Sequence, residues 1–111
     1  MIPASVPIFV CTELVDMRKS FDGLICAARE RLGRDVQSGG LFVFCNKRHN
    51  RLKVLWFDGN GYCILYKRIH GALFRLPNPD EGGIPIAAID PRQLAAVLRG
   101  VERPKWRRHA A

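Results

Sequence analysis

Arg51-Leu52-Lys53-Val54-Leu55-Trp56-Phe57, then Asp58-Gly59-Asn60-Gly61, then Tyr62-Cys63-Ile64-Leu65-Tyr66-Lys67-Arg68-Ile69: this stretch holds two apolar-rich runs around one turn. Side chains alternate across a strand, so Leu52, Val54 and Trp56 share a face in the first run. In the second, Tyr62, Ile64 and Tyr66 alternate against Cys63, Leu65 and Lys67. Asp-Gly and Asn-Gly are the dipeptides that tolerate positive φ, the strongest short-range signal for a hairpin. The stretch is a β-hairpin.

Its neighbours extend it into an antiparallel meander. Leu41-Phe42-Val43-Phe44-Cys45 is a strand after Gly39-Gly40, joined to the hairpin by the polar turn Asn46-Lys47-Arg48-His49-Asn50. Leu73-Phe74-Arg75-Leu76 reads as a further short strand before Pro77. Upstream, Ile8-Phe9-Val10-Cys11 is a first strand. A helix over residues 20–32 follows, with Phe21, Leu24, Ile25, Ala28 and Leu32 on one face, Ser20 as cap and Gly33 as stop. Downstream, residues 78–83 form a turn-rich loop, the most mobile segment expected, and residues 84–89 an edge strand, since Pro85 lacks a ladder donor. Asp90-Pro91-Arg92-Gln93 has the signature of a capped helix start; Leu94, Val97 and Leu98 point inward and Gly100 ends the turn. The fold class is α+β: a small antiparallel β-meander packed against one main helix, with a second short C-terminal helix. Residues 1–102 make a single domain and 103–111 a basic, flexible tail.

At 111 residues the chain has room for one core, and folding at this size removes roughly two-thirds of the unfolded surface from water. No apolar run approaches the ~18 residues of a spanning helix, and the first residues lack the pattern of a secretory signal. A cytoplasmic protein is expected. Cys11, Cys26, Cys45 and Cys63 form no Cys-x-x-Cys pair and sit among apolar neighbours, so they read as free buried thiols rather than zinc ligands or disulfides. Asp22, Asp58 and Asp90 each have a local structural task; Asp16 alone does not, and one carboxylate is no metal site. No nucleophile stands beside a base, and neither Gly pair continues into a phosphate-cradling motif. No catalytic residue, metal site or cofactor is assigned.

Charge is the positive signal. Eighteen Lys and Arg face ten Asp and Glu, giving +8, and thirteen of the cations are Arg, whose planar fork grips phosphate through two hydrogen bonds. Seven cations lie between Lys47 and Arg75 against Asp58 alone. Such a face attracts polyanions, of which nucleic acid is the abundant one. Trp56, Phe57, Tyr62 and Tyr66 interleave with these cations. A sheet face of this kind can grip a phosphate backbone and stack bases on its aromatics, but the reading favoured for the aromatics is an ordinary core. The candidate nucleic-acid-binding residues are Arg18, Lys19, Lys47, Arg48, Arg51, Lys53, Lys67 and Arg68. Arg18 and Lys19 stand before a helix N-terminus, where cations are unfavourable by a few tenths to about 1 kcal/mol. Either a bound phosphate offsets them or Asp16 pairs with Arg18 in solvent.

Three strings are distinctive in their order and spacing: Val15-Asp16-Met17-Arg18-Lys19-Ser20-Phe21-Asp22-Gly23-Leu24, Gly40-Leu41-Phe42-Val43-Phe44, and Arg51 to Gly61 followed by Tyr66-Lys67-Arg68. They resemble the TnpB family, second-open-reading-frame accessory proteins of the insertion-sequence-66 class of bacterial transposons, from about Ile8 to Gly100. His70 departs from the pattern, relatives often carrying an acidic residue there. The resemblance implies a non-catalytic protein encoded beside a larger transposase and assisting DNA transposition. It is unrelated to the RNA-guided nucleases that share the name. Together with the charge it leaves two readings open: a protein that binds DNA at the transposon ends through the basic hairpin face, or a module that docks on the transposase. Neither reading sets an oligomeric state.

Overall fold

Along the chain the elements run β1 (Ile8–Cys11), α1 (Phe21–Leu32), a 3-10 turn (Val36–Ser38), β2 (Leu41–Cys45), β3 (Arg51–Phe57), β4 (Tyr62–Arg68), β5 (Ala72–Leu73), β6 (Ile86–Ile89), α2 (Pro91–Arg99) and β7 (Val101–Glu102). The computed structural model describes residues 5–103. Four consecutive apolar residues give β1 no polar face, and all four are buried. A strand of that kind needs cover on both sides. It lies inside a five-stranded sheet of order β4-β3-β2-β1-β6.

The class is α+β, and β2, β3 and β4 form the expected antiparallel meander, with Val43 beside Val54 and Val54 beside Leu65. The first strand, β1, stands outside that meander, at the far side of β2. It pairs in parallel with β2, Phe9 beside Phe42, and antiparallel with β6, Val10 beside Ala87. A parallel pair cannot close through a tight turn and requires a crossover; α1 is that crossover.

Alternation along the strands then divides the core. Phe9, Cys11, Phe42, Phe44 and Leu55 cluster with Leu24, Ala27, Ala28 and Leu32 of α1. Ile8, Val10, Val43, Cys45, Leu52 and Val54 cluster instead with Leu94 and Val97 of α2 and with Phe74. The sheet is therefore covered on both faces, not packed on one main helix alone. Each fully buried Phe or Leu contributes about 1.5–3 kcal/mol of transfer free energy, so losing either helix would uncover half the core.

Several local expectations are corrected. The buried face of α1 is turned toward Ala27, leaving Phe21 43% exposed. Ser20 stands at the N-cap without a side-chain bond, while Gly33 closes the helix at φ 65°. In α2 the reciprocal cap is complete: Gln93 N–H donates to Asp90 Oδ1 at 2.7 Å and Asp90 N–H to Gln93 Oε1 at 2.8 Å. The edge strand shortens to Ile86–Ile89: the Pro85 carbonyl still accepts from Thr12 N–H at 2.9 Å, but Pro85 has no N–H to return and the ladder stops there. The strand expected at 73–76 pairs only through Ala72–Leu73, and with Val101–Glu102 rather than the main sheet; Phe74 leaves the ladder to fill the core at 1% exposure. Residues 104–111 of the expected tail lie outside the described residues. All four thiols are free, but Cys26 is exposed on α1 and Cys63 half-buried. Burial pushes the Cys45 thiol up to about 11 and raises Cys11 as well, so both stay protonated at neutral pH.

Candidate nucleic-acid interface

Because β1 and β2 run in parallel, the segments that leave their C-terminal ends come side by side. One is the 12–20 connection to α1; the other is the 46–50 turn to β3. Val15 N–H donates to the Cys45 carbonyl at 2.9 Å and ties them together. Arg31 of α1 holds the connection from the far side, 3.7 Å from Glu13. The turn is built on Asn46, whose Oδ1 accepts from the N–H groups of Asn50 and Arg51, each at 3.0 Å. His49 takes a left-handed φ of 57° there, and its Nδ1 lies 3.1 Å from the Phe74 carbonyl. Lys47 and Arg48 thus stand exposed on a turn whose backbone is fixed.

Between the two segments lies a groove of about 550 Å³, lined by Asp16, Arg18, Lys47, Arg48, Arg51 and Tyr66 among others. Arg68 stands directly across from Arg51 in the β3–β4 register, on the same face of the sheet. Five of the eight candidate cations therefore share this end of the molecule. Among the described residues, Lys47, Arg48, Arg51 and Arg68 have no carboxylate within ion-pair distance.

The other three candidates are placed elsewhere. Lys53 is a correction: it is 7% exposed, and its ammonium donates to the Met17 carbonyl at 2.8 Å and the Lys19 carbonyl at 2.7 Å. Those bonds hold the 12–20 connection onto the sheet, and burial against Tyr66 keeps the remaining N–H of the ammonium from a phosphate. Lys67 points to the opposite face, where its Nζ donates to the Leu98 carbonyl at 2.7 Å. It satisfies an orphan carbonyl at the negative end of the α2 dipole. Lys19 packs back over the first turn of α1, so closely that a Cβ on Gly23 would sit 3.0 Å from its own Cβ.

Arg18 does reach the groove, and it is already paired. Its Nη2 lies 2.6 Å from Asp16 Oδ2, its Nε donates to the same carboxylate, and its backbone N–H donates to Asp16 Oδ1 at 2.8 Å. Arg18 thereby holds the Asp16 carboxyl down to about 2. The sign follows: this pairing is fully present above the ordinary carboxylate range and is lost as pH falls through about 2. Both side chains are exposed, so the pair contributes little to stability. Asp16→Asn is expected to leave thermal stability at pH 7 nearly unchanged, and a carboxyl-carbon NMR titration of the wild-type protein to place the Asp16 midpoint near 2. A midpoint near 4, the ordinary value, would show the pair to be broken in solution.

Tyr66 is the aromatic for which the favoured core reading fails. It is 50% exposed, whereas Phe57 and Tyr62 pack against the α1 cluster and Trp56 against the α2 cluster. The alternation of β4 gave one usable sign: Tyr66 shares a face with Arg68, near the strand's charged end.

A small basic α+β protein with an open cationic groove is the class these features define. Among the described residues no group of three or more His, Cys, Asp and Glu could hold a metal ion, and no helix is long and apolar enough to cross a membrane. Residues 6–108 match the family model of IS66 Orf2-like proteins, and the chain belongs to that family. Membership gives it an accessory role in the transposition of an insertion sequence. Two proteins of Sinorhizobium fredii (strain NBRC 101917 / NGR234), both described as uncharacterized, are similar along nearly their whole length. Protein y4hO is 36% identical over 109 residues, covering 96% of this chain and 90% of its own. Protein y4jC is 28% identical over 101 residues, covering 91% and 84%. No solved structure matches.

Proposed function

We propose that the protein assists transposition by binding the DNA of the element's ends, without catalysing strand chemistry, and works in the cytoplasm where that DNA lies. The observation that carries this reading is the unneutralised pair Arg51 and Arg68, directly opposed on neighbouring strands beside Lys47 and Arg48. Like charges placed directly opposite destabilise a sheet, and a phosphate between them turns that repulsion into attraction. Arg18, Lys47, Arg48, Arg51 and Arg68 together neutralise about four to five phosphates, so log affinity falls with log salt at a slope of roughly −4. The double variant Arg48→Ala with Arg51→Ala flattens that slope by about one to two units. The measurement is a salt series of binding titrations on transposon-end DNA. Absence of binding at low salt overturns the reading.

One observation favours a second reading, docking on the element's transposase. A second hollow of about 820 Å³, which shares Leu14 with the basic groove, includes Ile84 and Val101, which are 46% and 42% exposed. A complex with the transposase that survives nuclease treatment, and is weakened by Ile84→Asp, supports it.

A further inference from the structure

The groove is too small for a double helix and large enough for one nucleotide. Its volume of about 550 Å³ falls within the range of roughly 300–1,000 Å³ typical of pockets that enclose a small ligand. A duplex can press its phosphates on the rim but cannot enter. Inside stands the ring of Tyr66, and two contacts fix its position. Arg51 Nη1 donates to its hydroxyl at 3.1 Å, and the Lys53 ammonium lies 4.7 Å from the ring centroid. That ammonium cannot swing away, because two backbone carbonyls hold it. The ring is therefore held at its hydroxyl and against one buried cation, while the residue lines the groove and remains half exposed.

An aromatic plane fixed in a cationic groove is the arrangement that binds unpaired bases, since every base offers a π-face and the flanking phosphates find the cations. We propose that this groove takes one unpaired nucleotide of single-stranded DNA, its base stacked on Tyr66 and its flanking phosphates on Arg48 and Arg18. To reach a phosphate, Arg18 exchanges one of its bonds to Asp16 for the incoming oxygen. This rests on the DNA-binding reading and adds that the preferred form is unpaired.

The test compares a labelled oligothymidine with a labelled duplex by fluorescence anisotropy, using the full chain and its Tyr66→Ala, Tyr66→Phe and Arg48→Ala variants. Tyr66→Ala is expected to weaken single-strand binding about tenfold to a hundredfold and duplex binding less than about twofold. Tyr66→Phe, which keeps the ring, restores single-strand binding, and Arg48→Ala weakens both substrates. In the wild-type protein, the ring resonances of Tyr66 move upfield when oligothymidine is added, a readout that requires no variant to fold. Unmoved resonances, equal losses on both substrates, or tighter binding of the duplex overturn the proposal while leaving DNA binding intact. Binding of neither substrate overturns the DNA-binding reading itself.

Discussion

Gly100→Ala is expected to lower the Tm by more than about 10 °C. Gly100 ends α2 at φ 74° and ψ −176°, accepting no substitute without strain because only glycine visits that region freely. Holding an alanine there costs about 1–3 kcal/mol. The new Cβ would also lie 2.5 Å from Ile69 Cδ1 and 2.7 Å from the Leu73 carbonyl oxygen. Ile69 can turn aside; the carbonyl cannot, because Leu73 pairs with Val101 and Phe74 beyond it is buried in the core. Strain and clash together reach about 3 kcal/mol, and each kcal/mol shifts Tm by about 4–8 °C in a domain of this size. Gly59→Ala is the control. Gly59 has φ 65° but open space around its Cβ position, so it bears the cost of the left-handed conformation alone, about 1 kcal/mol. Equal losses of Tm in the two variants, followed by circular dichroism, would refute the close approach of Gly100 to Leu73.

That contact also marks where the sequence stopped being legible. The α2 start could be read because all its parts, Asp90, Pro91 and Gln93, lie within one turn of chain. The β3–β4 hairpin could be read from its turn, although only Gly59 takes a positive φ there and Asn60 does not. The pairing of Ala72–Leu73 with Val101–Glu102 joins two-residue segments about thirty positions apart, and no periodicity resolves in so short a strand. The parallel sense of β1 was hidden for a related reason. A fully buried apolar run shows that both faces are covered but not which way its neighbours point.

The candidate site divides in the same way. Basic residues at the 46–50 turn are legible, since a polar turn between buried strands has nowhere to go but solvent. Which strand lysines are free is not. Lys53 and Arg51 share a face by simple alternation, and nothing in the spacing says that Met17 and Lys19 bring their carbonyls to rest above one and not the other. The apolar neighbours Leu52, Val54 and Leu55 were the available hint that Lys53 is interior. A cation is free for a phosphate only where the protein does not already hold it, as it holds the Lys53 amine.

Lys53→Met turns that distinction into a measurement. Methionine fills similar space but donates nothing, so the Met17 and Lys19 carbonyls lose their partner. A hydrogen bond to a charged group contributes about 1.5–3 kcal/mol. Part of this returns, because the variant no longer has to strip water from a buried ammonium. A net loss of about 2–3 kcal/mol remains, or a fall in Tm of roughly 10–20 °C. Binding should respond differently. With its amine engaged inside, Lys53 contacts no phosphate, so the salt slope at a temperature where the variant is folded stays within about half a unit of wild type. Arg48→Ala gives the mirror image: an unchanged Tm, since Arg48 is exposed and unpaired among the described residues, and a slope flattened by about one unit. A Lys53→Met protein of wild-type stability with a slope flattened by a full unit would place Lys53 on the DNA and remove the clamp. The expected result makes Lys53 a clamp on the 12–20 connection that does not itself touch what binds in the groove.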